Sequence, residues 1–164
     1  VKLAHIRVPG PPTAKGRHRD GFNFKTGRRV KYTPAKTVAF EHLVGLHARR
    51  AYWGNPTEAP IAIAVIQLYA PPKSWSKKKT HAALSNFIPH KITPDADNVM
   101  KAVKDGLNRI IYCDDSQLTL TFGFKRYSRT EETIILIYDA TEVEPVFTSL
   151  TDEVRALLLE RADA

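Results

Sequence analysis

Nine consecutive residues, Ile61-Ala62-Ile63-Ala64-Val65-Ile66-Gln67-Leu68-Tyr69, restrict the fold more than any other part of the chain. They are β-branched and apolar almost throughout, with Gln67 as the interruption, so they read as a central strand of a sheet. Even extended from Pro60 to Ala70, the run is too short to cross a bilayer. The 164 residues, 43% of them hydrophobic, suffice for one domain with a real core but not comfortably for two.

Other elements follow from local signals. Lys2–Val8 alternates loosely and reads as a first strand, stopped by Pro9-Gly10-Pro11-Pro12. The basic loop 13–21 leads to a short hairpin, Phe22–Phe24 against Arg29–Tyr32, across Thr26-Gly27. Thr33 as N-cap and Pro34 as first helical residue open a helix that reaches about Tyr52. The segment Lys73–Lys79 opens a short helix, Phe87–Thr93 reads as extended, and a second long helix spans about Asn98 to Asn108. Val99, Val103 and Leu107 line one face of that helix. Leu118–Lys125 and Thr133–Ala140 read as a strand pair, a hairpin through Tyr127-Ser128-Arg129. Thr151 to Ala162 forms a terminal amphipathic helix. Without strict β-α alternation, the expected class is α+β: a single domain with a mixed sheet flanked by helices.

Charge is distributed unevenly. Residues 1–94 carry 17 Lys and Arg against 3 Asp and Glu, whereas residues 95–164 carry 8 against 14. The basic half reads as a phosphate-facing surface and the acidic half as the source of candidate metal ligands. Cys113 is the single cysteine, so neither an internal disulfide nor a multi-cysteine zinc site can form, which fits a reducing cytoplasm. Lys2, His5 and Arg7 break the apolar stretch that a secretory signal needs. His81 and His90 lack partners at metal-ligand spacing.

The chemistry concentrates in Pro94-Asp95-Ala96-Asp97-Asn98-Val99-Met100-Lys101 and in Asp114-Asp115-Ser116-Gln117. If Asp95-Ala96-Asp97 is extended, Asp95 and Asp97 point the same way and can face one cation. Taken alone, Asp97 is better explained as a helix N-cap; with Asp95 beside it and a basic context around it, the metal role is favoured, and one residue can do both. Asp114-Asp115-Ser116 is at least as well explained as a turn before Leu118, and only one of its two aspartates can reach a cation shared with Asp95 and Asp97. Lys101 lies one helical turn after Asp97, which by default is a weak surface pair and alternatively an ammonium placed beside a reacting phosphate. Asp105, one turn further, is the weaker ligand candidate.

These residues resemble the RusA family of Holliday-junction resolvases, whose pattern is roughly P-D-x-D-N-x-x-K-x-x-x-D-x-L-N followed by D-D-S-Q. Pro9-Gly10-Pro11-Pro12 with Lys15-Gly16-Arg17, and Tyr32-Thr33-Pro34, are similar to its opening; the likeness runs from about Ile6 to about Phe124. The resemblance implies a magnesium-dependent endonuclease, with manganese as a substitute, acting as a homodimer on four-way DNA junctions and often encoded by bacteria or their phages. It implies Asp95, Asp97 and Asp115 as metal ligands and Lys101 as the essential lysine, with Asp114 supportive. Lys15, Arg17, Arg19, Lys77, Lys78, Lys79 and Lys91 would then hold the phosphate backbone. Residues 1–142 would form the nuclease domain and 143–164 a C-terminal extension. Two rival readings stand beside this one: a magnesium nuclease indifferent to branching, and a DNA-binding module whose acids are only caps and turns.

Overall fold

The computed structural model describes residues 1–160. Its main sheet holds β1 (Lys2–Pro9), β4 (Ile61–Tyr69), β5 (Leu118–Tyr127) and β6 (Glu132–Asp139), in the order β1-β6-β4-β5. β4 runs parallel to β5 and antiparallel to β6, and β6 runs antiparallel to β1, so the sheet is mixed as expected. β2 (Arg19–Asn23) and β3 (Arg28–Tyr32) form a separate two-stranded ribbon, the hairpin predicted across Thr26-Gly27.

β4 is buried at all nine positions. A strand apolar on both faces needs a strand on each side and a helical layer above and below. On one face lie α1 (Ala35–Ala51) and α3 (Ala96–Leu107), whose Phe40, Val44, Val99, Val103 and Leu107 meet Ile61, Ile63, Val65, Ile135 and Ile137. On the other lies α4 (Val143–Glu160), whose Val146 and Leu150 meet Ala62, Ala64, Ile66, Ile134 and Leu136. The short helix α2 (Lys77–Leu84) starts at Ser76, whose hydroxyl accepts the Lys79 N–H at 3.3 Å.

The same demand of β4 corrects the expected hairpin. β5 and β6 are not paired, because β4 lies between them. The chain leaves β5 at the end of β4, where the Ser128 N–H reaches the Tyr69 carbonyl at 2.8 Å, and returns on β4's far side. Parallel pairing of β4 with β5 requires a crossover, which α2 and α3 supply. Phe87–Thr93 is a loop and not a strand. Pro34 is extended at φ −54, ψ 138, so it takes the cap position expected for Thr33 and α1 starts at Ala35. The terminal helix starts at Val143, eight residues before the expected Thr151, and covers the second sheet face; its expected end at Ala162 lies outside the described residues.

α1 and α3 cross closely because glycines sit at the contact. A Cβ on Gly106 would stand 2.7 Å from the Glu41 carbonyl oxygen and 2.8 Å from Val44 Cβ. Since the first obstacle is backbone, Gly106→Val should force the helices apart and lower stability by about 1–3 kcal/mol, read as a lower urea midpoint at unchanged slope.

Candidate functional site

The start of α3 is fixed by two polar groups reaching up from the sheet. The fully buried Gln67 donates its amide to the Ala96 carbonyl at 3.0 Å and accepts from the Tyr69 hydroxyl at 3.1 Å. Lys125, its neighbour in register on β5, donates to the carbonyls of Ile92 at 2.7 Å and Pro94 at 2.9 Å. The Lys15 N–H adds a third tie, to the Asn98 carbonyl at 2.9 Å. The Thr93–Pro94 peptide bond in this segment is cis.

Asp95 and Asp97 are therefore presented from a braced helix end. Asp95 takes the cap position in an extended conformation, φ −70 and ψ 137, and α3 begins at Ala96. This corrects both the extended Asp95-Ala96-Asp97 stretch and Asp97 as the cap, which instead lies in the first turn. The Asp95 carboxylate makes no capping bond; one oxygen accepts from Asn98 Nδ2 at 3.5 Å. Asp97 pairs with Lys101 at 3.4 Å, with both side chains well exposed. The positive end of the helix dipole favours carboxylates here. A cavity of about 360 Å³ opens beside Asp97, lined also by Met100, Lys101, Lys104, Thr121 and Gly123. Two exposed carboxylates with free oxygens suit a hard divalent cation, which takes one or two such ligands and fills the rest with water and phosphate. The two ammonium groups beside them suit a phosphate.

The Asp114–Asp115 pair divides its tasks. The Asp114 carboxylate accepts the Ser116 N–H at 2.9 Å, and hydrogen bonding from the Ser116 side chain and backbone holds its pKa below the usual carboxylate range. The Gln117 amide oxygen accepts the N–H groups of Cys113 and Asp114, both at 2.9 Å, while its nitrogen donates to the carbonyls of Thr57 at 2.8 Å and Ala59 at 2.9 Å. Asp114 and Gln117 thus build the 3-10 turn Asp115–Gln117, and the exposed Asp115 carboxylate accepts no hydrogen bond among the described residues.

Asp115 does not stand beside Asp95 and Asp97 within one chain. It precedes Leu118, the register partner of Ile61, whereas the other two lie over Gln67 and Lys125 at the opposite end of β4. Six residue steps along β4, from Ile61 to Gln67, separate those ends, about 20 Å. Among the described residues, no three His, Cys, Asp or Glu side chains are grouped so as to hold a metal ion.

Of the predicted phosphate contacts, Arg17, Arg19, Lys77, Lys78, Lys79 and Lys91 are exposed. Lys79 also lies over the Trp75 ring, 4.0 Å from its centroid, and Trp75 packs edge-on against Tyr127 at 5.2 Å. Lys15 is turned inward, paired with Asp105 and 3.6 Å from Glu41, so it joins the N-terminal loop to α3 and α1. That pairing occupies Asp105. Sequence reasoning missed the roles of Gln67 and Lys125; the lone amide in an apolar strand was the available signal for the first. Among the described residues, no helix is long and apolar enough to cross a membrane.

Residues 9–138 match the family model for endodeoxyribonuclease RusA. The chain is also similar to the uncharacterized protein YqaN of Bacillus subtilis strain 168, 34% identical over 137 residues, which is 82% of this chain and 94% of that relative.

Replacing Lys125 by methionine removes the donor shared by the Ile92 and Pro94 carbonyls while keeping most of the stem's packing. Amide hydrogen exchange in residues 95–99 should then accelerate, with the strands of the main sheet protected as before; equal protection at 95–99 would show that Lys125 does not brace the helix end.

Proposed function

The chain belongs to the RusA endodeoxyribonuclease family, and from that premise we propose that it is a magnesium-dependent endonuclease resolving four-way DNA junctions by paired cuts. The observation that carries this reading is the pair of exposed carboxylates at the braced start of α3, with Lys101 and Lys104 around the adjoining cavity. Asp95 and Asp97 would hold the ion, with Asp115 as the third ligand. When bound, the ion polarises the scissile phosphate and acidifies water. Lys101 sits where its ammonium can offset charge developing on the phosphoryl oxygens. Gln67 and Lys125 fix the helix end that carries the carboxylates, and the exposed cations of the 77–79 run and of Lys91 hold the flanking backbone.

Because Asp115 lies at the other end of α3, the proposed site draws it from a second copy. β5 is an edge strand, and its α3 side is exposed at Thr119, Thr121 and Gly123. Pairing two such edges antiparallel about a two-fold axis would set the Asp115 end of one β5 beside the Lys125 end of the other. That end carries Asp95 and Asp97 as well as Lys101 and Lys125, so a bound divalent cation is what would hold the Asp115 carboxylate against the other two. The Phe122, Phe124, Val154 and Leu158 groove beside β5 would be covered in the same step. A two-fold pair also supplies two sites for the two strands that a junction resolution must cut. Manganese, with the same preference for oxygen donors, should replace magnesium.

Asp97→Asn keeps the size of the side chain and removes its charge. In magnesium it should cut a mobile four-way junction on the order of 100-fold more slowly or worse, while junction binding in EDTA holds or tightens because a phosphate-repelling charge is gone. Equal cutting by the variant would end the ligand assignment, and equal cutting of a linear duplex by the unaltered protein would favour the branch-indifferent nuclease.

A further inference from the structure

The β2–β3 ribbon is outside both apolar clusters of the protein. Nine of its ten strand residues are exposed, and Gly21 is half-buried. Phe22, Val30 and Tyr32 are 51%, 41% and 48% exposed, and Phe24 in the turn is 90% exposed. An isolated two-stranded ribbon is marginal in water, and one that leaves four large apolar side chains uncovered calls for something to cover them. The charge identifies what: Arg19, Lys25, Arg28, Arg29 and Lys31 stand against Asp20 alone. Protein-binding patches are depleted of charge at their centres, whereas a basic ribbon interleaved with aromatics matches a nucleic acid.

Register sorts the side chains. Phe22 pairs with Arg29 and Asp20 with Lys31, so Asp20, Phe22, Arg29 and Lys31 share one face, on which Arg29 is the cation without a carboxylate opposite it. Phe24 meets Phe22 edge-on, ring centroids 5.2 Å apart at 74°. The turn that carries Phe24 is organised by Asn23, whose Oδ1 accepts the Lys25 N–H at 3.0 Å and whose carbonyl accepts the Gly27 N–H at 2.8 Å. Gly27 takes φ +66, which a glycine adopts without strain. The outermost aromatic is thus held outward by a defined turn, with cations behind it.

We propose that this ribbon is a separate DNA contact that recognises the branch: Phe24 and Phe22 stack on bases exposed where helices part, while Arg29 and Lys31 hold the adjoining phosphates. Duplex interiors offer no free base face, so aromatic stacking discriminates for branched or unpaired DNA where cations alone would not. The proposal rests on the branched-DNA reading of the site at α3 and gives that site its selectivity.

The test compares the full chain with Phe24→Ala and Phe24→Trp in EDTA, on a four-way junction carrying 2-aminopurine at the branch point and on a linear duplex of the same sequence. Phe24→Ala should weaken junction binding about tenfold or more, abolish the change in 2-aminopurine emission and leave duplex binding within about twofold, while Phe24→Trp retains both junction signals. Junction affinity within twofold of the unaltered protein, or equal losses on both DNAs, would overturn the proposal. So would a shift of Phe24→Ala to a smaller species in sedimentation, which would assign the ribbon to contact between copies. Because binding is read without metal, failure here leaves cutting through Asp97 untouched, and failure to cut leaves this comparison readable.

Discussion

Two hydrogen-bond donors set into the sheet, the Gln67 amide and the Lys125 ammonium, determine where the first turn of α3 lies. A buried amide is costly unless satisfied, and Gln67 is satisfied by the Ala96 carbonyl and the Tyr69 hydroxyl. The helix end is thereby tied to the two strands whose parallel pairing defines the sheet. From this follow the direction of the Asp95 and Asp97 carboxylates, the cavity against β5, and the separation of Asp115 at the other end.

Much of the fold was legible because it depends on local pattern. The apolar run of β4, interrupted at Gln67, announced a central strand, and Val99, Val103 and Leu107 announced the inner stripe of α3. Pairing between strands was not legible. Tyr127-Ser128-Arg129 does reverse the chain, but a turn says nothing about whether a third strand lies between the two it joins. Here β4's need for two neighbours places it there. The early start of α4 escaped notice because Val143–Leu150 has few turn-by-turn cues of its own, and its apolar residues face a sheet contributed by distant segments.

The candidate site shows the same division. Side-chain types and short spacings pointed to Asp95, Asp97 and Lys101; the structure pairs Asp97 with Lys101 and puts Asp95 at the cap of the same helix. They could not tell which of two adjacent aspartates is occupied by its own turn; the bonds from Ser116 and the Gln117 clamp give that task to Asp114. Nor could spacing reveal that Lys15 is spent on Asp105, or that Asp115 ends about 20 Å along the sheet from the other acids. Both depend on tertiary register. The basic N-terminal half likewise resolves into unlike parts: an inward staple at Lys15 and an outward ribbon with aromatics at its tip.

The proposed chemistry needs a site shared between two copies of the chain, and mixing two inactive variants tests that most directly. Asp97→Asn and Asp115→Asn, each unable to cut alone, should regain nicking of one junction strand when unfolded and refolded together, because roughly half of the dimers are then mixed and each mixed dimer holds one intact set of ligands and one doubly substituted set. If every ligand came from a single chain, each mixed dimer would contain two broken sites and the mixture would remain inactive, which would contradict the shared site.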